Sequence, residues 1–185
     1  MSSFFVDAAT LLIQVIFGLY IFAVLLRFLF QLARVDFYNP ISQFLVVLTN
    51  PLLKPLRRVI PGLFGIDLAS VILLLLLQSI ETYLIFWLTQ FTPEPLAVLI
   101  AAVIELIRLT LNVYFYAVLL RVILSWFMPY GMRQNPAGNL LVGLTDPLMR
   151  PAQRLIPPVG GLDLSPIVVL VSLQLMQLAM SHLLQ

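Results

Sequence analysis

The chain has 185 residues, of which 62% are hydrophobic and 10% charged, with a mean hydropathy of +1.07. A soluble domain is usually about half apolar and a quarter charged, so these figures exclude an ordinary water-soluble fold and place the chain in lipid. The net charge of +2 makes a poor nucleic-acid footprint, and with no cysteine there is no disulfide, thiolate nucleophile, iron-sulfur cluster or zinc-thiolate site.

Four apolar segments are long enough to cross a hydrocarbon core, which takes roughly 20 helical residues. The first, Ala8 to Phe30, follows a start without the positive region or small-residue cleavage pattern of a secretory signal, and is expected to be retained as a membrane helix. It carries Gln14, Tyr20 and, near its far end, Arg27. The loop behind it has the grammar of short helices. Asn39-Pro40 and Asn50-Pro51 each put a side-chain acceptor at an N-cap and a proline at the first helical position. After Pro51 the spacing predicts about two turns, with Leu52, Leu53, Leu56, Val59 and Ile60 on one face and Lys54, Arg57 and Arg58 on the other, ended by Pro61. A short helix of this kind lies in the headgroup plane; the alternative is a surface helix packed on protein. Gly62 and Gly65 then turn the chain into Asp67, which stands where a capping carboxylate belongs before the second span, Leu68 to Leu88.

The third span, Leu96 to Phe127, has 32 residues, too long for one upright crossing, so it either starts near Ile104 or tilts. Beyond it the loop is written again. Positions 39 to 78 recur 96 residues later without a gap, 18 of 40 being identical; 10 of the matches are not aliphatic, so a shared Leu/Val bias cannot produce them. The second copy reads Asn135-Pro136, Thr145-Asp146-Pro147, Pro151, Arg154, Ile156-Pro157, Gly161 and Asp163-Leu164, with Arg150 and Arg154 on its cationic face. There Gly160-Gly161 makes the turn, and Ser165-Pro166 offers a competing cap for the last span, Leu164 to Leu184. Tyr20-Ile-Phe-Ala-Val-Leu-Leu-Arg27 likewise returns as Tyr114-Phe-Tyr-Ala-Val-Leu-Leu-Arg121, at an offset of 94. The duplicated unit is a whole hairpin, and two residues were gained between Arg121 and Asn135. The fold expected is an all-α membrane protein: two tandem parallel helical hairpins, residues 1–92 and 93–185, with short amphipathic interfacial helices in the two repeated loops.

Arg34, Lys54, Arg57, Arg58, Arg133, Arg150 and Arg154 lie in those loops, whereas the N-terminal tail, the Thr89 to Pro95 linker and the C-terminus hold no lysine or arginine. By the positive-inside rule both loops face the cytoplasm and both termini lie outside. Lys54, Arg57, Arg58, Arg150 and Arg154 are then the headgroup-facing cations. Each helix-end arginine can also pair with the aspartate that opens the next span, Arg27 with Asp67 and Arg121 with Asp163; capping alone is the simpler role for the two carboxylates.

Gln14, Glu81, Arg108 and Gln177 fall at one depth, about 20 Å from the cytoplasmic ends at 1.5 Å per residue. The repeat relates Gln14 to Arg108 and Glu81 to Gln177, and Gln78 and Gln174 sit about one turn away from this layer. Three readings of the layer stand: a Glu81–Arg108 lock between hairpins, snorkelling of both charges to the outer interface with help from Glu105, or an ion or proton path. His182 reads as an interfacial side chain, Trp87 and Trp126 as interface anchors. There is no Ser-His-Asp set, HExxH, phosphate-binding loop or carboxylate pair suited to acid-base work, so no enzyme and no cofactor is expected.

The Asn-Pro, Thr-x-Pro-x-x-x-Pro-x-x-Arg-x-Ile-Pro and Gly-x-Asp-x-(Ser-Pro) series resembles the YggT family of bacterial integral membrane proteins, which has relatives in chloroplasts. The second unit carries it best, through Thr145-Asp-Pro147, Pro151, Arg154-Leu-Ile-Pro157, Gly161-Leu-Asp163-Leu-Ser-Pro166 and Gln174; Ala69-Ser70 departs from the expected Ser-Pro. The resemblance implies a multi-pass protein of the bacterial inner membrane, connected with osmotic or ion homeostasis or with the division and envelope machinery. For plastid relatives it implies cytochrome b6 haem attachment and nucleoid organisation. One histidine and no cysteine argue against direct haem chemistry here. The reading that results is a non-enzymatic membrane scaffold or assembly factor that engages anionic headgroups and a membrane or cytoplasmic protein, with a homo-oligomer as a further candidate partner and no nucleic acid; the alternative is a small ion-flux protein or an accessory subunit of one.

Overall fold

A computed structural model describes residues 2–63, 65–89, 93–127, 131–156 and 163–182. The elements are α1 (Ser2–Leu32), α2 (Pro40–Val59), α3 (Leu68–Leu88), α4 (Pro95–Phe127), a 3-10 turn (Met132–Gln134), α5 (Pro136–Leu155) and α6 (Ser165–His182). Among the described residues there is no β-strand, only an isolated bridge between Leu63 and Ile66. α1, α3, α4 and α6 are each long and apolar enough to cross a membrane, which matches the four spans read from the sequence. α4 is one unbroken helix from Pro95, about 50 Å long at 1.5 Å per residue. That is well beyond a hydrocarbon core of about 30 Å, so the extra length is not shed by starting the helix later. The turn expected at Gly160-Gly161, Pro157, and the last residues of the fourth span lie outside the described residues.

The repeated loops differ from expectation. Asn39 and Asn135 do cap: their Oδ1 atoms accept the Ile41 and Ala137 amides, each at 3.0 Å. Asn50-Pro51 and Asp146-Pro147 open no second helix. α2 and α5 instead run 20 residues each, straight through Pro51 and Pro55, and through Pro147 and Pro151. A proline inside a helix removes an amide donor and strands the carbonyl one turn back. Polar side chains gather at that turn. Thr49 Oγ1 donates to Leu45 O at 2.6 Å and Thr145 Oγ1 to Leu141 O at 2.6 Å, while Arg27 Nη1 reaches Val46 O at 3.3 Å. The carbonyls facing Pro51 and Pro147 are those of Val47 and Gly143; the side-chain bonds fall instead on the neighbouring carbonyls of Leu45, Val46 and Leu141 and tether the threonines and Arg27 to the same turn.

The chain packs as two compact units, one of Met1–Phe28 with Leu45–Ile107, the other of Leu29–Phe44 with Arg108–Gln185. In the first, Ile21, Val24, Leu53 and Ala69 are almost fully buried. In the second, Val118, Met149, Ala152, Val169 and Leu173 form the core, with Tyr114, Phe115 and Leu170 packed against them. The link Leu29–Phe44 is tied into this second unit. Asn39 Nδ2 donates to Pro136 O at 2.8 Å, and Val35 lies so close to Gly143 that a Cβ there would sit 3.1 Å from its Cγ2. Arg34, at φ +54°, makes the left-handed turn that ends α1.

Candidate functional site

Each unit contains the same polar clasp. In the first, Arg27 Nη1 donates to Thr49 Oγ1 at 2.5 Å and to Asn50 Oδ1 at 3.0 Å. In the second, Arg121 Nη1 donates to Thr145 Oγ1 and Asp146 Oδ1, both at 2.8 Å. Thr49 and Thr145 are fully buried and Arg27 is 8% exposed. A guanidinium at the end of an apolar span is costly unless hydrogen-bonded, and the Thr-Asx-Pro turn of the amphipathic helix supplies the acceptors.

The aspartates form a second contact. Asp67, at the N-cap position of α3, accepts from Arg57 Nη2 at 2.5 Å, Arg57 Nε at 3.2 Å and Ser70 Oγ at 2.5 Å. Asp163 accepts from Gln153 Nε2 and from the Ser165 amide, each at 2.9 Å. The cross-helix pairs expected from sequence, Arg27 with Asp67 and Arg121 with Asp163, are therefore not the hydrogen bonds that form. The physical reason is that α2 and α5 are continuous and present partners to both groups, so neither needs the other. Arg57 also departs from its expected role: its side chain is 37% exposed, but its donors serve Asp67. Lys54, Arg58 and Arg154 are exposed, and Arg150 bonds Asp146 at 3.2 Å while 70% exposed.

The two copies place their charges differently. Arg27 meets a neutral Asn50 where Arg121 meets Asp146, and Asp67 meets Arg57 where Asp163 meets a neutral Gln153. Gln153→Arg is accordingly expected to install the first copy's ion pair in the second. The gain expected is about 0.5–1 kcal/mol, the scale of a solvent-accessible pair, read as a higher thermal midpoint in detergent that 0.5 M salt reduces.

Burial alone would raise the Asp67 carboxyl, but the hydrogen bonds from Arg57 and Ser70 and the charge of Arg57 outweigh it and hold it below the usual carboxylate range. For Asp163 burial is again outweighed, by Ser165, Gln153 and the field of Arg121. A carboxylate whose folded pKa is depressed stabilises fully above its unfolded value, about 3.9, and ceases to do so as pH falls through the folded value. Acid should therefore destabilise the protein below about pH 4, and Asp67→Asn should flatten that part of a stability-against-pH curve.

Of the intramembrane polar residues, Gln14, Gln78 and Glu81 line one cavity of about 280 Å³ in the first unit, together with Thr82 and Glu105. Glu81 is 8% exposed and accepts from Gln78 Nε2 at 2.9 Å. In the second unit Gln177 Nε2 donates to Asn112 Oδ1 at 3.0 Å, a partner the sequence reading overlooked; Gln174 is exposed on α6 and Arg108 half-buried on α4. Sequence reasoning also missed Thr49 and Thr145 as side-chain partners. Their identity in both copies, beside an arginine identical in both, was the available signal. Among the described residues no group of three or more His, Cys, Asp or Glu side chains could hold a metal ion.

Four membrane-length helices and two amphipathic ones, with the same clasp built twice, define an all-α membrane protein made of a duplicated hairpin. The chain belongs to the CCB3/YggT family, whose model matches residues 6–88 and 100–184. It is 44% identical over 173 residues to an uncharacterized protein of Pseudomonas aeruginosa, covering 92% of this chain and 87% of that one. It is 35% identical to the uncharacterized protein YggT of Escherichia coli, covering 97% and 92%, and 36% identical to an uncharacterized protein of Vibrio alginolyticus, covering 91% and 90%. No solved structure matches the chain significantly.

Proposed function

We propose that this protein is a non-enzymatic scaffold or assembly factor of the bacterial inner membrane, with α2 and α5 at the cytoplasmic face and both termini outside. The observation that carries this reading is the three-sided surface of α2. Leu45, Thr49 and Leu53 are buried against the protein. One flank exposes Ile41, Phe44, Leu48, Leu52 and Val59, and the other exposes Lys54 and Arg58 with Val47 between them. A helix with an apolar flank, a cationic flank and a docked stripe suits the lipid–water boundary, where acyl chains cover the first and anionic headgroups meet the second. The cations left over then offer a docking edge for a protein partner. Photo-crosslinking side chains at Lys54, Arg58 and Arg154 of the full chain in native membranes test it. Anionic lipid together with one recurrent protein is the expected catch; crosslinks confined to water or to zwitterionic lipid would contradict it.

The cavity around Glu81 supports a second reading, a small ion-flux protein in which Glu81, with Gln14 and Gln78 beside it, lines the path. Purified protein in liposomes separates the two. Selective flux that Glu81→Gln abolishes favours transport, and its absence favours the scaffold.

A further inference from the structure

Within the second unit the far end of α4, the 3-10 turn, α5 and the start of α6 surround a cavity of about 410 Å³, inside the range of roughly 300–1,000 Å³ usual for small-ligand sites. Its origin is legible in the repeat. Val122, Ser125 and Gln153 stand where the first copy has Phe28, Gln31 and Arg57, each larger. Val118, Val122, Met149 and Pro166 give the cavity an apolar wall, while Arg121, Arg133, Ser125 and Asp163 give it a polar one.

The charges on that polar wall are unevenly matched. Asp146 alone receives Arg121 at 2.8 Å, Arg150 at 3.2 Å and Arg133 at 3.5 Å, so three guanidiniums share one carboxylate. Asp163 is held by the neutral Gln153 amide and the Ser165 backbone. The cavity thus offers surplus guanidinium charge, a separate carboxylate and an apolar surface. A simple anion would leave the carboxylate unanswered, a simple cation would meet the arginines, and neither would use the apolar wall. The cavity also lies at the ends of two membrane spans.

We propose that this cavity binds the headgroup of a phosphatidylethanolamine-type lipid, with the phosphate on Arg121 and Arg133, the primary ammonium on Asp163 and the first methylenes along Val118 and Val122. Guanidinium forks suit phosphate oxygens, and a primary ammonium donates charge-assisted bonds to a carboxylate. A choline headgroup has no N–H to donate and is bulkier. The inference rests on the membrane reading but not on the anionic-lipid contacts proposed for Lys54, Arg58 and Arg154.

The test is lipid retention by full-length protein in mild detergent, offered equimolar phosphatidylethanolamine, phosphatidylglycerol and phosphatidylcholine and weighed by native mass spectrometry. Ethanolamine lipid should be retained about tenfold over choline lipid, the ratio for one charge-assisted bond. Asp163→Asn, which still accepts the Ser165 amide, should erase that preference. Arg133→Gln, at a side chain 72% exposed, should weaken ethanolamine and glycerol lipids alike, and Val122→Phe should block all three by restoring the first copy's bulk. Equal retention of ethanolamine and choline lipids, a preference that survives Asp163→Asn, or binding of soluble phosphoethanolamine with no retained lipid would each overturn the assignment. Loss of glycerol-lipid retention in a Lys54→Gln/Arg58→Gln/Arg154→Gln variant, with the ethanolamine preference intact, would show the two lipid contacts to be independent, as proposed.

Discussion

Thr49→Val is expected to destabilise the folded protein by about 2–3 kcal/mol, the scale of a hydrogen bond to a charged group lost from a buried site. Valine keeps the volume and removes only the hydroxyl. That hydroxyl accepts from Arg27 and donates to Leu45 O, and the residue is fully buried. Without it the guanidinium keeps the weaker contacts to Asn50 and Val46 O. Thr145→Val should cost less, about 1 kcal/mol, because Arg121 is 18% exposed and keeps the carboxylate of Asp146. Thermal or denaturant unfolding of the two single variants in one detergent checks this. Equal losses at the two threonines would show that the acceptor beside them does not matter, and the clasp as described would be wrong.

Gly138→Ala is expected to cost about 3 kcal/mol or more, through overpacking that side-chain movement cannot relieve. A Cβ at that position would collide with the Met132 carbonyl oxygen, so the 3-10 turn or the start of α5 has to move. The first copy shows what the glycine replaces. Ser42 is its counterpart, and Ser42 Oγ donates to the carbonyl of Asp36, the residue matching Met132. One copy hydrogen-bonds that carbonyl; the other lets it approach bare backbone. Gly18→Ala is the control, since a Cβ there meets nothing within 4 Å. Alanine in a helix interior should stabilise by up to about 1 kcal/mol, and its melting curve beside that of Gly138→Ala separates packing from helix propensity.

The spans were legible because length and hydropathy alone decide them: Leu68–Leu88 agrees to the residue and the third span and the start of the fourth to within one, whereas α1 begins six residues before Ala8. The proline-rich loops were not. Asn-Pro is a helix start at Asn39 and Asn135, and the same two letters at Asn50-Pro51 lie inside a helix. What separates the cases is tertiary: at Asn50 the side-chain oxygen is taken by a buried arginine that also bonds Thr49, and local grammar carries no trace of a partner 22 residues away. For the same reason the sequence pointed Arg27 at Asp67, the opposite charge nearest its level, when a neutral hydroxyl and amide on the intervening helix were closer. Asp67 does stand at the N-cap position of α3, though without a side-chain capping bond, and which side chains of α2 and α5 meet the two carboxylates, Arg57 and Gln153, is decided by tertiary packing that local spacing does not carry. The duplication, read from identities alone, carried the rest, and comparing its two halves exposes the exchanged charges and the cavity of the second copy.

Because the chain contains no cysteine, single cysteines report sidedness cleanly. Placed at Lys54, Arg154 and Glu94, they should react with a membrane-impermeant maleimide as follows: the first two only in inverted inner-membrane vesicles, the third only in intact spheroplasts. Labelling of Lys54 and Arg154 positions from opposite sides would contradict a pair of amphipathic helices sharing the cytoplasmic surface, and with it the scaffold proposed here.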